Sequence, residues 1–305
     1  MVNKKRRQMM DMLPQAIRQR LEHGGILPDK VQEIRLREDR PLIVCEGGKE
    51  VLLPHRVTKE ELRDTLEHFA EYSLYAYEHE LRQGFITVEG GHRVGVAGKI
   101  IPEEGKVRNF QYISSVNIRV CHEILGCADP VFPGILQDGR ICHTLIISPP
   151  GCGKTTLLRD MIRQISDGNR YIEGKNVGVV DERSELGGCY QGVPQNQLGL
   201  RTDILDNCPK AEGMMLMIRS MSPQVLAVDE IGSQRDVEAV TCAMHCGVII
   251  LATAHGDSLE EIREKPFLKE LAKGHYFERY VLLGGGGGPG KIRGIYDERG
   301  RQICS

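Results

Sequence analysis

"IISPPGCGKTTLLRD", residues 146–160, decides how this chain is read. A short apolar run ends at Ser148, a Pro/Gly turn follows, and Lys154-Thr155 opens a stretch with Leu157, Leu158, Met161, Ile162 and Ile165 at helical spacing. Strand, glycine turn and helix, in that order, are the context that the phosphate-cradling pattern G-x-x-x-x-G-K-[ST] demands. φ-permissive residues at Gly151 and Gly153 let backbone N–H groups turn inward around phosphate oxygens. The expected cradle is Pro150, Gly151, Cys152, Gly153, Lys154, Thr155 and Thr156. Lys154 supplies a point charge for the β- and γ-phosphates, and Thr155 offers a hydroxyl to Mg²⁺. The start of the helix adds its own partial positive charge. Ser148 stands where the pattern has its first glycine. That glycine eases the exit from the strand, while Gly153-Lys154-Thr155 makes the close contacts, so a serine of ordinary φ is tolerable. ATP and Mg²⁺ are the expected cofactors.

Three further strand ends point to the same chemistry. "VLAVDEIG", residues 225–232, is an apolar run ending in Asp229-Glu230, about 75 residues after the loop, a usual separation for the two motifs. Beside the loop strand it would bring Asp229 to the Mg²⁺ shell, a second metal ligand with Thr155, and Glu230 to the attacking water. "VGVVDERSELGG", residues 177–188, ends in Asp181-Glu182, and "VIILATAHG", residues 248–256, delivers Thr253 and His255. Ligands of open parallel sheets bind outside the carboxyl ends of strands. The four ends are therefore expected to face one crevice.

The rest of the chain sets the frame. Its 305 residues favour two domains. The first 125 read as an amino-terminal α+β domain. Strands "VQEIRLRED" and "PLIVCEGG" come first, then a helix from Thr58 with a Thr58–Glu61 capping box, then the hairpin "GFITVEGGHRVGVAGKI" and the strand "ISSVNIRV". An earlier helix is expected over 11–22, with the basic "KKRR" before it as a solvated tail. Residues 126–140, rich in Gly and Pro, read as a linker. From 141 to 305 strands and helices alternate, as in a parallel sheet with crossover helices. "LLGGGGGPGKIRGIYDERG" reads as a hairpin with a slack glycine loop.

Composition narrows the alternatives. The ten cysteines are scattered without a C-x-x-C pair, which points to reduced thiols. "CAMHC" (242–246) lacks a second ligand pair at zinc-finger distance, and its cysteines are expected as small core residues. No apolar run is long enough to span a membrane. A net charge of −2, no tryptophan and no dense Lys/Arg stripe argue against a nucleic-acid partner.

In order, "SPPGCGKT", "VVDERSE", "VLAVDEIG" and "VIILATAHG" resemble the phosphate loop, acidic box, second acidic strand and histidine box of the secretion ATPases, the motors of type II and type IV secretion and of pili. With "RTDILDNCPKAEGM" and "GGHRVGVAGK…ISSVNIR" added, the chain is similar over nearly its whole length to the stage III AA family of sporulation ATPases in endospore-forming bacteria. The resemblance implies a RecA-like core, a hexameric ring as self-partner, and membrane proteins of the sporulation channel as further partners. It also implies a location at the cytoplasmic face of a mother-cell membrane. Catalytic roles fall on Glu230, with Glu182 or Asp181 as alternative bases, on His255, and on Arg93 and Arg119 as charge-neutralising arginines. A RecA-like nucleic-acid translocase and a nucleotide-gated scaffold with little turnover stay open as alternatives.

Overall fold

The computed structural model describes residues 2–73, 77–284 and 290–304. The chain forms two compact units, residues 1–123 with 188–195, and residues 124–187 with 196–305.

The first unit opens with two helices, α1 (Val2–Asp11) and α2 (Gln15–His23), broken at Pro14. The basic segment expected as a tail is thus the body of α1. Lys5 is ion-paired to Glu123 at 2.9 Å, and Arg7 reaches Asp29 at 3.6 Å. Six strands follow: β1 (Val31–Arg37), β2 (Pro41–Glu46), β3 (Lys49–Arg56), β4 (Phe85–Val88), β5 (His92–Glu103) and β6 (Lys106–Arg119). Between β3 and β4 lie α3 (Lys59–Phe69) and α4 (Glu78–Arg82). The capping box on α3 forms as read: Thr58 Oγ1 accepts from Glu61 N at 3.2 Å, and Glu61 Oε2 accepts from Thr58 N at 2.9 Å. The sheet runs β3-β2-β1-β6-β5-β4, antiparallel throughout. Strand alternation sends Ile34, Leu36, Leu42, Val44, Val94 and Ile118 into one core with Ile17, Leu21, Leu62, Leu66 and Phe69. The same alternation leaves Glu33, Arg35, Arg93 and Arg119 on the other face.

The second unit begins where a linker was expected. Residues 126–140 instead belong to its core: Ala128, Val131, Phe132 and Ile135 are fully buried. They form α5 (Phe132–Ile135) and a two-residue strand β7 (Leu136–Gln137) paired with β8 (Arg140–Ile141). Phe132 stacks on Tyr171 at a centroid distance of 6.5 Å. Glycines and prolines here make tight turns inside a packed layer rather than a tether.

The strands of the main sheet are β9 (Thr144–Ser148), β10 (Val177–Asp181), β11 (Thr202–Asp206), β12 (Val225–Val228), β13 (Ile249–His255), β14 (Arg279–Leu283), β15 (Ile292–Asp297) and β16 (Gln302–Cys304). They lie in the order β11-β10-β12-β13-β9-β14-β15-β16. From β11 to β14 all pairs are parallel, and β15 and β16 continue antiparallel. Crossovers are α6 (Lys154–Asp167), α7 (Lys210–Met221) and α8 (Gln234–His245). The short α9 (Leu259–Glu264) and α10 (Leu268–Lys273) precede β14. Alternate residues serve two cores. Leu145, Ile147, Leu226, Val228 and Ile250 pack under α7, α8 and α10. Ile146, Val179, Ala227, Leu251 and Val281 pack under α5 and α6. Both faces are covered, which is why these strands read as unbroken apolar runs. The β14–β15 hairpin is present, and the glycine run at 285–288 lies outside the described residues. Cys242 and Cys246 are exposed on and beside α8, not buried as expected.

If 126–140 is core, Phe132→Ala should cost the second unit about 3–5 kcal/mol in urea unfolding, the range for truncating a buried aromatic. A loss under about 1 kcal/mol, as at a surface site, would mean that the segment is peripheral.

Candidate nucleotide site

The loop after β9 takes its shape from two glycines. Gly151 has φ +76° and Gly153 φ +88°, left-handed values that penalise a Cβ. Ser148, by contrast, needs no such freedom: it is a fully buried strand residue. Its hydroxyl donates to Pro149 O at 2.9 Å, and its carbonyl accepts from Gly256 N at 3.2 Å. The missing first glycine therefore costs the loop nothing in backbone geometry. Cys152 O accepts from Gly290 N at 2.7 Å, so the chain returning toward β15 also braces the loop.

Lys154, the first residue of α6, is 9% exposed. No carboxylate among the described residues pairs with it. Its ammonium lies 3.3 Å from Nδ1 and 3.4 Å from Nε2 of His255. Near-equal distances to both ring nitrogens put it off either lone-pair axis, so this contact is loose. A buried ammonium without a counter-charge at the head of a helix is a demand for an anion.

Thr155 Oγ1 donates to Asp229 Oδ2 at 2.7 Å. The other Asp229 oxygen accepts from the Thr253 hydroxyl, and Thr253 Oγ1 accepts from Glu230 N at 2.8 Å. The strand carrying Asp229 is not beside the loop strand, as had been expected: β13 lies between them. Thr253 on β13 bridges that gap. A hydroxyl and a carboxylate already converge, and the cradle is formed by positive-φ glycines, so the donor set fits a magnesium nucleotide.

Glu230 has φ +56°, a strained value for a side chain with a Cβ. Its Oε1 lies 3.1 Å from His255 Nε2 and its Oε2 3.1 Å from Arg183 Nη1. Lys154, His255, Glu230 and Arg183 thus form one chain of contacts across the strand ends. Glu182 turns away from that chain and pairs with Lys210 at the start of α7. A cavity of about 390 Å³ opens beside Glu230 and His255, with Lys265 and Phe267 in its wall. Lys265 also donates to the His255 carbonyl.

Asp181 does not face the crevice. It is 1% exposed. Its carboxylate accepts backbone N–H bonds from Glu185 (2.9 Å), Leu186 (2.8 Å) and Gly187 (2.8 Å), closing the turn after β10. Burial pushes its carboxyl up to about 6 against the pull of those N–H donors, with the nearby Asp206 and Asp229 charges adding to the rise. In the first unit, Arg93 and Arg119 are cross-strand neighbours on β5 and β6, and Glu33 lies opposite Arg119 on β1. Arg93 stacks 3.5 Å over the Phe85 ring. Burial favours the protonated Glu33 carboxyl, but hydrogen bonds from Arg35 and Asn117 and the charges of Arg35 and Arg119 outweigh it and hold the carboxyl low. The sequence reading missed Arg183, Lys210 and Lys265. Nothing in their spacing marks a partner, because each reaches across the fold.

Comparison with known proteins gives the family and the fold. The family described as "Sporulation stage III, protein AA" matches residues 3–303. Stage III sporulation protein AA of Bacillus subtilis (strain 168) is 42% identical over 300 residues, covering 97% of this chain and 96% of that protein. Among solved structures, the Legionella pneumophila ATPase DotB aligns with TM-score 0.55 at 15% identity, covering 88% of this chain and 76% of its own. The pilus retraction motor PilT with bound ADP aligns with TM-score 0.57 at 16% identity over the same shares. At such identities the likeness is one of fold alone: this chain shares its fold with these two proteins. No helix among the described residues is long and apolar enough to cross a membrane.

The Asp181 value sets a pH dependence. The native carboxyl sits above the usual unfolded value of about 4, so the folded chain holds the proton more tightly. The resulting stabilisation is complete below about pH 4 and is lost as pH rises through about 6. Wild-type unfolding free energy should therefore fall relative to that of Asp181→Asn between pH 4 and 7, by at most about 3 kcal/mol. A pH-independent difference in urea titrations would show that Asp181 ionises normally.

Proposed function

We propose, from the premise that this chain belongs to the sporulation stage III protein AA family, that it is a Mg²⁺-dependent ATPase. Its proposed work is to power or assemble a membrane-spanning, secretion-like channel between mother cell and forespore. The observation that carries the reading is the buried Lys154 ammonium at the head of α6, which no carboxylate among the described residues pairs with, beside the Thr155–Asp229 pair. A nucleotide phosphate is the anion that this arrangement suits.

In this reading Pro150 to Thr156 cradle the phosphates, and Lys154 leaves its loose contact with His255 to meet them. Thr155 and Asp229 would hold a magnesium ion, which would supply charge neutralisation at the phosphates. Glu230 is the general base. Of the three acidic candidates, Asp181 is occupied by backbone N–H groups and Glu182 by Lys210, whereas Glu230 lies in the contact chain that begins at Lys154. His255 sits between base and lysine, within reach of both, and is placed to follow the loss of the γ-phosphate. Arg93 and Arg119 are proposed to neutralise transition-state charge on a nucleotide held by a neighbouring copy in a hexameric ring. Fixed guanidiniums suit that task. Membrane proteins of the channel are the proposed partners, at the cytoplasmic face of the mother-cell membrane.

The test is Mg²⁺-dependent phosphate release from ATP. Wild-type protein should release phosphate. Lys154→Ala and Glu230→Gln should each reduce the rate by at least about a hundredfold, the scale of losing a phosphate contact or a positioned base. Release that Lys154→Ala leaves intact, or tight ATP binding with no release at any protein concentration, would remove the ATPase reading.

A further inference from the structure

The turn that follows β10 is built with unusual care for a surface loop. Asp181 grips three of its N–H groups from below. Arg159, itself buried, donates to the carbonyls of Glu185 (2.6 Å) and Leu186 (2.9 Å). A turn held from both sides presents Arg183 in one place. There its guanidinium meets Glu230 Oε2 at 3.1 Å.

The same turn has a second attachment. At Gly188 the chain passes into the first unit and stays there to Gln195. That excursion is tied down inside the first unit: Gln195 Oε1 accepts from Gly90 N at 3.0 Å, Gln195 O accepts from Lys5 Nζ at 2.7 Å, and Tyr190 donates to Glu71. Its ends are pinned in the second unit, where Asn196 donates through its N to Gly187 O and through Nδ2 to Leu186 O, both at 3.0 Å. The turn carrying Arg183 is thus continuous in sequence with a segment packed within the first unit.

We infer that Arg183 is a positioning residue for Glu230, and that the turn bearing it conveys the state of the first unit to the attacking-water side of the nucleotide site. This rests on the ATPase reading and adds the regulation of that site. Glu230 needs such a hold. Its backbone is in a left-handed conformation that favours alternatives, and its side chain is partly exposed, so among the described residues its carboxylate is held by its contacts with His255 and Arg183. One oxygen goes to His255 and one to Arg183, which leaves lone pairs on both for a water. The pair is exposed on the arginine side and would contribute little to stability. Its contribution is aim.

Arg183→Ala should leave binding of a fluorescent ATP analogue and KM within about twofold while kcat falls on the order of tenfold, the pattern of an interaction that matters for geometry at the reacting centre. Arg183→Lys should recover part of the loss. In a Glu230→Gln background Arg183→Ala should cost nothing further, since the residue acts through Glu230. Tyr190→Phe, which loosens the excursion within the first unit, should lower kcat in wild type but not in Arg183→Ala. Wild-type or raised kcat in Arg183→Ala, or additive losses in either double variant, overturns the inference. Amide hydrogen exchange at Ile231 and Gly232 gives a readout independent of turnover. It should speed up in Arg183→Ala, and unchanged exchange there overturns the inference even if the wild type proves not to hydrolyse ATP.

Discussion

Asp229 makes two hydroxyl bonds at once, and the site depends on that fork. One oxygen takes the Thr155 hydroxyl from the start of α6, and the other takes Thr253 from β13. The strand order forces this arrangement. Because β13 separates β12 from β9, a side chain at the end of β12 reaches the loop only across an intervening strand. The register puts His255 level with Ser148 and Ala252 level with Val228. Thr253 is thus the residue of β13 that passes closest to Asp229, and a small β-branched hydroxyl can sit there fully buried because both its bonds are made. Remove that hydroxyl and Asp229 loses one side of its cradle, while the Glu230 N–H loses its acceptor.

What the sequence disclosed follows from which interactions are local. The loop, α6 and the apolar strands were legible because φ-permissive glycines and continuous burial leave marks within a few residues. The α3 capping box was legible for the same reason, since both partners lie three residues apart. Strand order was not legible, because nothing in β12 or β13 records which neighbour it takes. The segment 126–140 misled because Gly and Pro serve tight turns in a packed layer as well as linkers, and only burial tells the two apart. The helix α1 was missed because its run of cationic residues in sequence hides the Met9 and Met10 that anchor it in the core.

Of the candidate site, the phosphate loop and the Asp229–Glu230 pair were readable, and Asp181 shows where such reading stops. An acidic pair at a strand end looks the same whether it meets solvent, a metal or its own backbone. In Asp181-Glu182 the first residue is consumed as the floor of a turn and the second is tied to a lysine of another helix. In Asp229-Glu230 the first meets hydroxyls from two elements and the second reaches the strand-end contacts. The two pairs are alike in sequence and opposite in commitment, and only tertiary partners separate them.

That difference bears on how the proposed reaction could be controlled. Asp181 cannot serve as a mobile base, because leaving its three N–H donors would unmake the turn and leave those groups buried without acceptors. Its immobility makes it useful in another way. A turn held by Asp181 from one side and by Arg159 from the other gives Arg183 a firm base. Glu230 sits at the other end, on a strained backbone, held by partners that can be exchanged at modest cost. In the proposed reaction, a firm turn acting on a loosely held carboxylate would let Arg183 set the aim of the base. It requires no change in the phosphate loop itself, whose glycine geometry and buried Lys154 can stay constant through a cycle.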